Sequence, residues 1–333
     1  MISRRNWRPF LATFAALSLM SAIDLAHAQT APSPQTWPTR PLRIVQGSAP
    51  GGNADTAARL MANEMQKTLG QPIVVDVRLG GAGRIAADAV AKAAPDGTTM
   101  LLITGGHVTT GAASKSLPYD TVESFAWISS MSEFPFTLLV RTDSRFGSLG
   151  ALLAEARAKP NAVTFGTSGT GATLHLVGEL MGRMANVELL HIPYKGEALA
   201  LNALLAGDIV FSVNTPTTAV GQIKAGKVRA LAVSSAKRWK GLPEVPTIAE
   251  AGVPGYDVSS WLGLATTAGT PRPIVDQLVR AMHAALQVPE VRERLEAMGG
   301  VVTPSTPEET RARVVGELAK WNKLFDEAKL PRE

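Results

Sequence analysis

Three turns rich in small residues stand where a strand gives way to a helix. They are Ser48-Ala49-Pro50-Gly51-Gly52-Asn53-Ala54-Asp55, Gly80-Gly81-Ala82-Gly83-Arg84 and Gly166-Thr167-Ser168-Gly169-Thr170-Gly171-Ala172-Thr173. A helix N-terminus presents unpaired backbone N–H groups and about half a positive charge, so each turn is a ready place for an anion. Gly51 and Gly52 let the backbone approach a ligand, and Asn53 or Asp55 can cap the helix that follows. The third turn leads into a helix carrying His175 and Glu179. Any one such turn is more simply a helix cap. Two of them, from separate halves of the chain, point to a cleft for an anionic ligand, such as one with a carboxylate for each half.

The same residues are weak material for catalysis. Gly81-Ala82-Gly83-Arg84-Ile85-Ala86 fits a relaxed dinucleotide fingerprint, but the next acid, Asp96, sits in a Pro-Asp-Gly turn and not at a strand end. Gly166-Thr167-Ser168-Gly169 is followed by Thr170, so the nucleophile elbow fails at its last position. Ser234-Ser235-Ala236-Lys237 fits S-x-x-K without its companion motifs. His175 and Glu179 share a helix face at i, i+4, yet no third metal ligand is evident. The remaining enzymatic alternative is a hydrolase using Ser168 with His175. No catalytic residue, cofactor or metal is assigned.

The elements that position these turns alternate. Leu42–Val45, Ile73–Val77 and Met100–Ile103 read as strands, with helical spacing over Asp55–Leu69 and Arg84–Ala93. A second series has strands near Leu138–Val140, Val163–Phe165, Leu189–Ile192, Ile209–Val213 and Val228–Val233. Helices are expected over Leu149–Ala158, Thr173–Met184, Glu197–Ala206 and Thr218–Ala225. This alternation implies α/β architecture with parallel sheets. A tail follows, with a strand over Val258–Thr266 and helices over Pro271–Leu286, Glu290–Met298 and Pro307–Ala328. The chain thus leaves a first lobe, builds a second and returns.

Composition sets the outer limits. The chain has 333 residues, 45% apolar and 18% charged, which excludes a disordered or collagen-like protein. Arg4-Arg5, the apolar stretch Phe10–Ile23 and Ala26-His27-Ala28 read as an export signal, so the mature chain starts near Gln29. General secretion is favoured over the twin-arginine route, since a lone Arg pair is common in ordinary signals. Removing residues 1–28 lowers the net charge from +5 to +3, and aromatics are only 5%, so a nucleic-acid partner is not expected. With no cysteine there is neither a disulfide framework nor a lipid-modified one. The product is expected to be a soluble periplasmic monomer.

From Trp37 to about Lys329 the chain resembles the substrate-binding proteins of tripartite tricarboxylate transporters, the Bordetella uptake gene (Bug) family. The resemblance is carried, in order, by Trp37-Pro38-Thr39-Arg40-Pro41-Leu42, Ala49-Pro50-Gly51-Gly52-Asn53-Ala54-Asp55, Leu69-Gly70-Gln71-Pro72 and Ala93-Ala94-Pro95-Asp96-Gly97. Leu117-Pro118-Tyr119-Asp120, Thr167-Ser168-Gly169-Thr170-Gly171, His191-Ile192-Pro193-Tyr194-Lys195-Gly196, Lys224-Ala225-Gly226-Lys227, Val245-Pro246-Thr247 and Ala268-Gly269-Thr270-Pro271 complete the series. It implies an α/β protein of the two-lobed periplasmic-binding-protein type II kind (a Venus flytrap). Lobe 1 would comprise residues 37–130 and 257–333, lobe 2 residues 131–256, after a signal peptide (1–28) and a linker (29–36). Crossovers near Ile128–Phe136 and Val253–Ser260 would hinge the lobes.

The resemblance also implies a small carboxylate held by Pro50, Gly51, Gly52, Asn53 and Asp55 on one side. Facing them would be Thr167, Ser168, Gly169, Thr170, Gly171 and Thr173. Thr104, His107, His175, Asn214 and Thr215 would complete the cleft. The implied partner is an integral-membrane permease, or alternatively a membrane sensor receptor. An aromatic carboxylate would stack on Trp261 or Phe134. Departures from the family pattern are Val213 before Asn214, Arg78-Leu79-Gly80-Gly81-Ala82-Gly83 in the second turn, and Gln46-Gly47-Ser48 in place of a more apolar stretch. The last predicts a larger or more polar side pocket.

Overall fold

Apolar runs bounded by Gly and Pro make the strands, and most of them are buried along their length. In β1 (Leu42–Gln46) only Arg43 is exposed. The computed structural model describes residues 37–48 and 50–332, so the expected export signal (1–28), the linker (29–36) and Ala49 lie outside the described residues. After β1 come α1 (Asn53–Leu69), β2 (Ile73–Val77), α2 (Arg84–Ala91), β3 (Thr99–Thr104), α3 (Gly105–Ala113), β4 (Phe125–Pro135), β5 (Thr137–Arg141) and α4 (Leu149–Ala158). The middle of the chain gives β6 (Thr164–Thr167), α5 (Thr173–Met184), β7 (Leu190–Pro193), α6 (Glu197–Ala206), β8 (Phe211–Asn214), α7 (Pro216–Lys224) and β9 (Val228–Val233). The tail adds β10 (Ser259–Thr267), α8 (Arg272–Gln287), α9 (Pro289–Ala297), β11 (Val301–Val302) and α10 (Pro307–Glu327).

Two sheets result, one ordered β11-β4-β10-β3-β1-β2 and the other β7-β6-β8-β5-β9. Each repeats one device: β1 pairs in parallel with both β2 and β3, and β6 with both β7 and β8. The sheets are mixed, not parallel throughout as the alternation predicts. β10 runs antiparallel to β3 and β4, and β5 antiparallel to β8 and β9. These antiparallel strands carry the chain between sheets without a crossover helix to turn it around.

Ile128–Phe136, expected as a crossover, is mostly strand β4, and the chain changes sheet at Phe136. Three serines disguise that strand. Ser129, Ser130 and Ser132 are buried, and the first two bond to the Ser305 segment: Ser305 N–H donates to Ser129 Oγ and Ser130 N–H to Ser305 Oγ, both at 3.0 Å. The return passage is tied to the outward one through buried Ser234. Its Oγ accepts from Phe136 N–H (2.8 Å) and donates to Val258 C=O (2.6 Å). Its backbone N–H also donates to Phe136 C=O, and its C=O accepts from Val258 N–H, both at 2.9 Å. The S-x-x-K serine is therefore the tie between the two crossings.

Candidate functional site

In open α/β sheets a ligand crevice lies beyond the carboxyl ends of strands whose connections leave in opposite directions. β1 and β6 are such strands in their two sheets. The segments following β1, β2, β3, β6 and β8 meet at a cavity of about 580 Å³. Ser48, Asn53 and Ala54 come from the first turn, Ala82 and Arg84 from the second, and Ser168 through Leu174 from the third. Thr104, Gly106, Thr109 and Thr110 come from β3 and α3, Thr215 follows β8, and Phe134, Phe136, Ser260 and Leu262 form the floor from β4, the crossing and β10.

Five helices begin at this cavity with no side-chain cap: α1 at Gly52, α2 at Gly83, α3 at Thr104, α5 at Ala172 and α7 at Thr215. The first backbone N–H groups of a helix have no intrahelical acceptor, so these ends together offer a field of donors. Among the described residues the lining contains no carboxylate, and Arg84 is its one charged side chain. Arg84 Nε donates to Gly81 C=O at 3.1 Å. Gly80, Gly81, Ala82 and Gly83 all have positive φ (119°, 56°, 52° and 93°), a run of left-handed backbone that explains three glycines in four positions. Across the cavity, the hydroxyls of Thr109 on α3 and Thr173 on α5 lie 3.1 Å apart and share a hydrogen bond.

Several residues expected to face the ligand hold the loops from behind instead. Asp55 is buried; its carboxylate accepts from Gly51 N–H (3.0 Å), Gln46 Nε2 (3.1 Å) and Arg59 Nε (3.0 Å). Ser48 N–H in turn donates to Gln46 Oε1 at 2.6 Å. The Arg59 guanidinium, with the Gly51 and Gln46 bonds, holds the Asp55 carboxyl below its ordinary range against the opposing effect of burial. Gly51 N–H is thus used inside the chain. Pro50, Gly51 and Gly52 are exposed beside the cavity rather than lining it, leaving Asn53 and Ala54 as the first turn's contribution.

His175 is also behind its loop. Its Nδ1 accepts from Gly171 N–H at 3.1 Å, which places the ring proton on Nε2, 3.4 Å from Glu179 Oε1. The ring stacks on His191 with centroids 3.9 Å apart. His191 Nε2 lies 2.7 Å from Thr167 Oγ1, and burial with the neighbouring His175 pulls its pKa down to about 3. With both His175 nitrogens engaged, the Ser168–His175 hydrolytic pair is not assembled. Thr215 lines the cavity, but Glu197 accepts from its N–H and hydroxyl, so a carboxylate of the chain already occupies the start of α7. Asn214 is fully buried; Ser212 Oγ donates to its Oδ1, and its Nδ2 has no hydrogen-bond partner among the described residues. Thr167 is buried too.

Thr104, Ser168, Gly169, Thr170, Gly171 and Thr173 line the cavity. His107 lines a second, adjoining one. Of the two aromatic candidates, Phe134 is in the cavity floor, 6.2 Å from Phe136. Trp261 is core: fully buried, it donates from Nε1 to Glu317 at 3.0 Å and lies under the Arg313 guanidinium. Sequence reading missed Thr109 and Thr110, because α3 was not recognised; Thr104, a residue type favoured at helix starts, was its one signal. A larger cavity of about 740 Å³ lies between α4, α5 and α10, lined by Arg157, Arg183, Lys320, Lys323 and Glu327 among others. No helix begins there.

A family model described as "Tripartite tricarboxylate transporter family receptor" matches residues 57–330. A UPF0065 protein encoded in the tcbD-tcbE intergenic region of Pseudomonas sp. (strain P51) is 36% identical over 326 residues, covering 97% of each chain. Among solved structures, Rpa4515 of R. palustris with adipate is 35% identical with a TM-score of 0.78, covering 89% of this chain and 99% of that one. MatC (Rpa3494) from Rhodopseudomonas palustris with bound malate is 33% identical with a TM-score of 0.74, covering 86% of this chain and 99% of that one. The chain belongs to the tripartite tricarboxylate transporter receptor family and has its two-lobed periplasmic-binding-protein fold.

Proposed function

We propose that this chain is an exported periplasmic receptor. It captures a small carboxylate between two lobes and delivers it to the integral-membrane permease of a tripartite tricarboxylate transporter. The observation that carries this reading is the convergence of the uncapped N-termini of α1, α3 and α5 on one cavity that has no carboxylate among its described lining residues. An anion there meets fixed N–H dipoles, and excluding water by closure strengthens each of them. Recognition by main-chain donors needs no fully buried Lys or Arg, whose desolvation would oppose binding. Asn53, Ala54, Thr104, Ser168, Gly169, Thr170, Gly171 and Thr173 contact the ligand, while Asp55 and His175 position the loops. The lobes hinge at Phe136 and Val258, held by Ser234, and the Thr109–Thr173 bond links them on the cavity side.

Thermal unfolding of the mature chain with a panel of carboxylates (succinate, adipate, citrate, nicotinate, benzoates and phthalates) tests the reading. A ligand at a hundred times its dissociation constant stabilises by roughly 2.7 kcal/mol, which raises the midpoint by several degrees. No shift with any carboxylate, after unfolding and refolding to remove co-purified ligand, contradicts it.

A further inference from the structure

Beside the main cavity, wholly within the first sheet's turns and helices, lies a second cavity of about 250 Å³. Ser48, Ala82, Thr104 and Thr110 line both, so the two adjoin. Its inner wall is kept small by Gly47, Gly83, Ala86 and Ala87. A Cβ on Gly47 would stand 2.7 Å from Gly83 Cα, so this turn and the next touch through bare backbone. The sequence departure at Gln46-Gly47-Ser48 thus coincides with a side pocket.

The chemistry of this pocket differs from that of the main cavity. Among the described residues no charged side chain lines it, and the helix N-termini that reach it are those of α3 and α2; at the latter, Gly83 N–H and Arg84 N–H already donate to Gly80 C=O and Gly81 C=O. His107, 8% exposed, donates from Nε2 to Thr121 C=O at 2.9 Å, and burial keeps its ring neutral. Its Nδ1 lone pair is then an acceptor with no partner among the described residues. The Tyr119 hydroxyl, its pKa pushed up to about 12, is neutral as well. A carboxylate placed here would be stripped of water with no counter-ion in the wall. A hydroxyl would find an acceptor. In size, a cavity of about 150 Å³ suffices for benzene.

Resting on the carboxylate reading above, we propose that this side cavity is a specificity subsite for an uncharged arm of the ligand. The arm is at most the size of a hydroxylated six-membered ring, and the ligand's carboxylate is held in the main cavity. The receptor is therefore selective for unsymmetrical carboxylates, anionic at one end and neutral at the other.

The test is calorimetric titration of the mature chain with succinate, 4-hydroxybenzoate and terephthalate, the last two differing only in their para group. The wild-type chain should bind 4-hydroxybenzoate at least tenfold more tightly than terephthalate. Ala86→Val and Ala87→Val, each filling the pocket, should weaken 4-hydroxybenzoate at least tenfold and leave succinate within threefold. Terephthalate binding as tightly as 4-hydroxybenzoate overturns the subsite, as do folded variants that keep wild-type affinity for 4-hydroxybenzoate. If neither variant folds, the wild-type pair decides alone. A wild-type chain that binds none of the three overturns the carboxylate reading itself, and the subsite with it.

Discussion

Replacing Ala172 by Asp should push stability and binding in opposite directions. Ala172 is the N-cap of α5, with φ −68° and ψ 155°, the extended geometry from which a short carboxylate reaches back to the helix N–H groups. The side chain at this position lines the cavity. An Ala→Asp cap is worth about 1 kcal/mol, and the helix dipole adds roughly 0.5 kcal/mol, so the ligand-free midpoint should rise by about 3 °C. The same carboxylate occupies the donors that a ligand would use. A like charge about 4 Å away opposes binding by roughly 4 kcal/mol at an effective dielectric constant of 20, or nearly three decades in affinity. Glu197 already does this at the start of α7, where it accepts from Thr215 N–H. Calorimetry with whichever panel carboxylate stabilises the wild-type chain, together with thermal unfolding without it, reads both effects. Ala172→Asn supplies the cap without the charge and should retain most of the affinity. A raised midpoint with affinity within threefold of wild type would refute the assignment of α5 as a ligand donor.

Three further outcomes follow from the site's supporting contacts. Ser234→Ala removes the hydroxyl shared by Phe136 N–H and Val258 C=O and leaves both buried groups one partner short. It should destabilise by about 2–4 kcal/mol in urea unfolding, and a loss under 0.5 kcal/mol would show that the tie is idle. His191, with a folded pKa of about 3, stays neutral while the unfolded chain takes up its proton near pH 6.5. Its contribution is therefore present above pH 6.5 and is lost as pH falls towards 3. His191→Phe should flatten the stability profile over that window by up to one proton per molecule; an unchanged slope contradicts the assignment. Asp55, whose folded pKa is depressed, contributes stability above pH 3.8 that is lost as pH falls through the lower folded value. Asp55→Asn removes the charge and one of the two oxygens that hold Gly51, Gln46 and Arg59 together and should weaken carboxylate binding about tenfold at pH 7, whereas unaltered affinity would separate Asp55 from the site.

The parts of the fold most legible in the sequence were those with strong local signals. Arg84, Leu149, Thr173 and Glu197 begin helices where the spacing predicts, and Ile73–Val77 and Val228–Val233 coincide with strands. What escaped was structure fixed by tertiary contact. The α3 sequence Gly-Gly-His-Val-Thr-Thr-Gly-Ala-Ala has three glycines and two threonines and little intrinsic helix preference; packing determines it. β4 hides behind serines whose partners lie more than 170 residues away. Loop positions were easier to infer than side-chain directions. The three Gly-rich turns do meet at one cavity, but nothing in the sequence says that Asp55 turns inward to Gly51 or that His175 turns to Gly171. Both choices depend on Gln46, Arg59 and His191, whose positions only the fold supplies.

The most direct measurement is a crystal structure of the mature chain with a carboxylate from the panel. The account predicts carboxylate oxygens within about 3 Å of backbone N–H groups in the first turns of α1, α3 or α5. A carboxylate seated instead in the Arg183–Lys320 groove between α5 and α10, with those helix ends left to water, would contradict it.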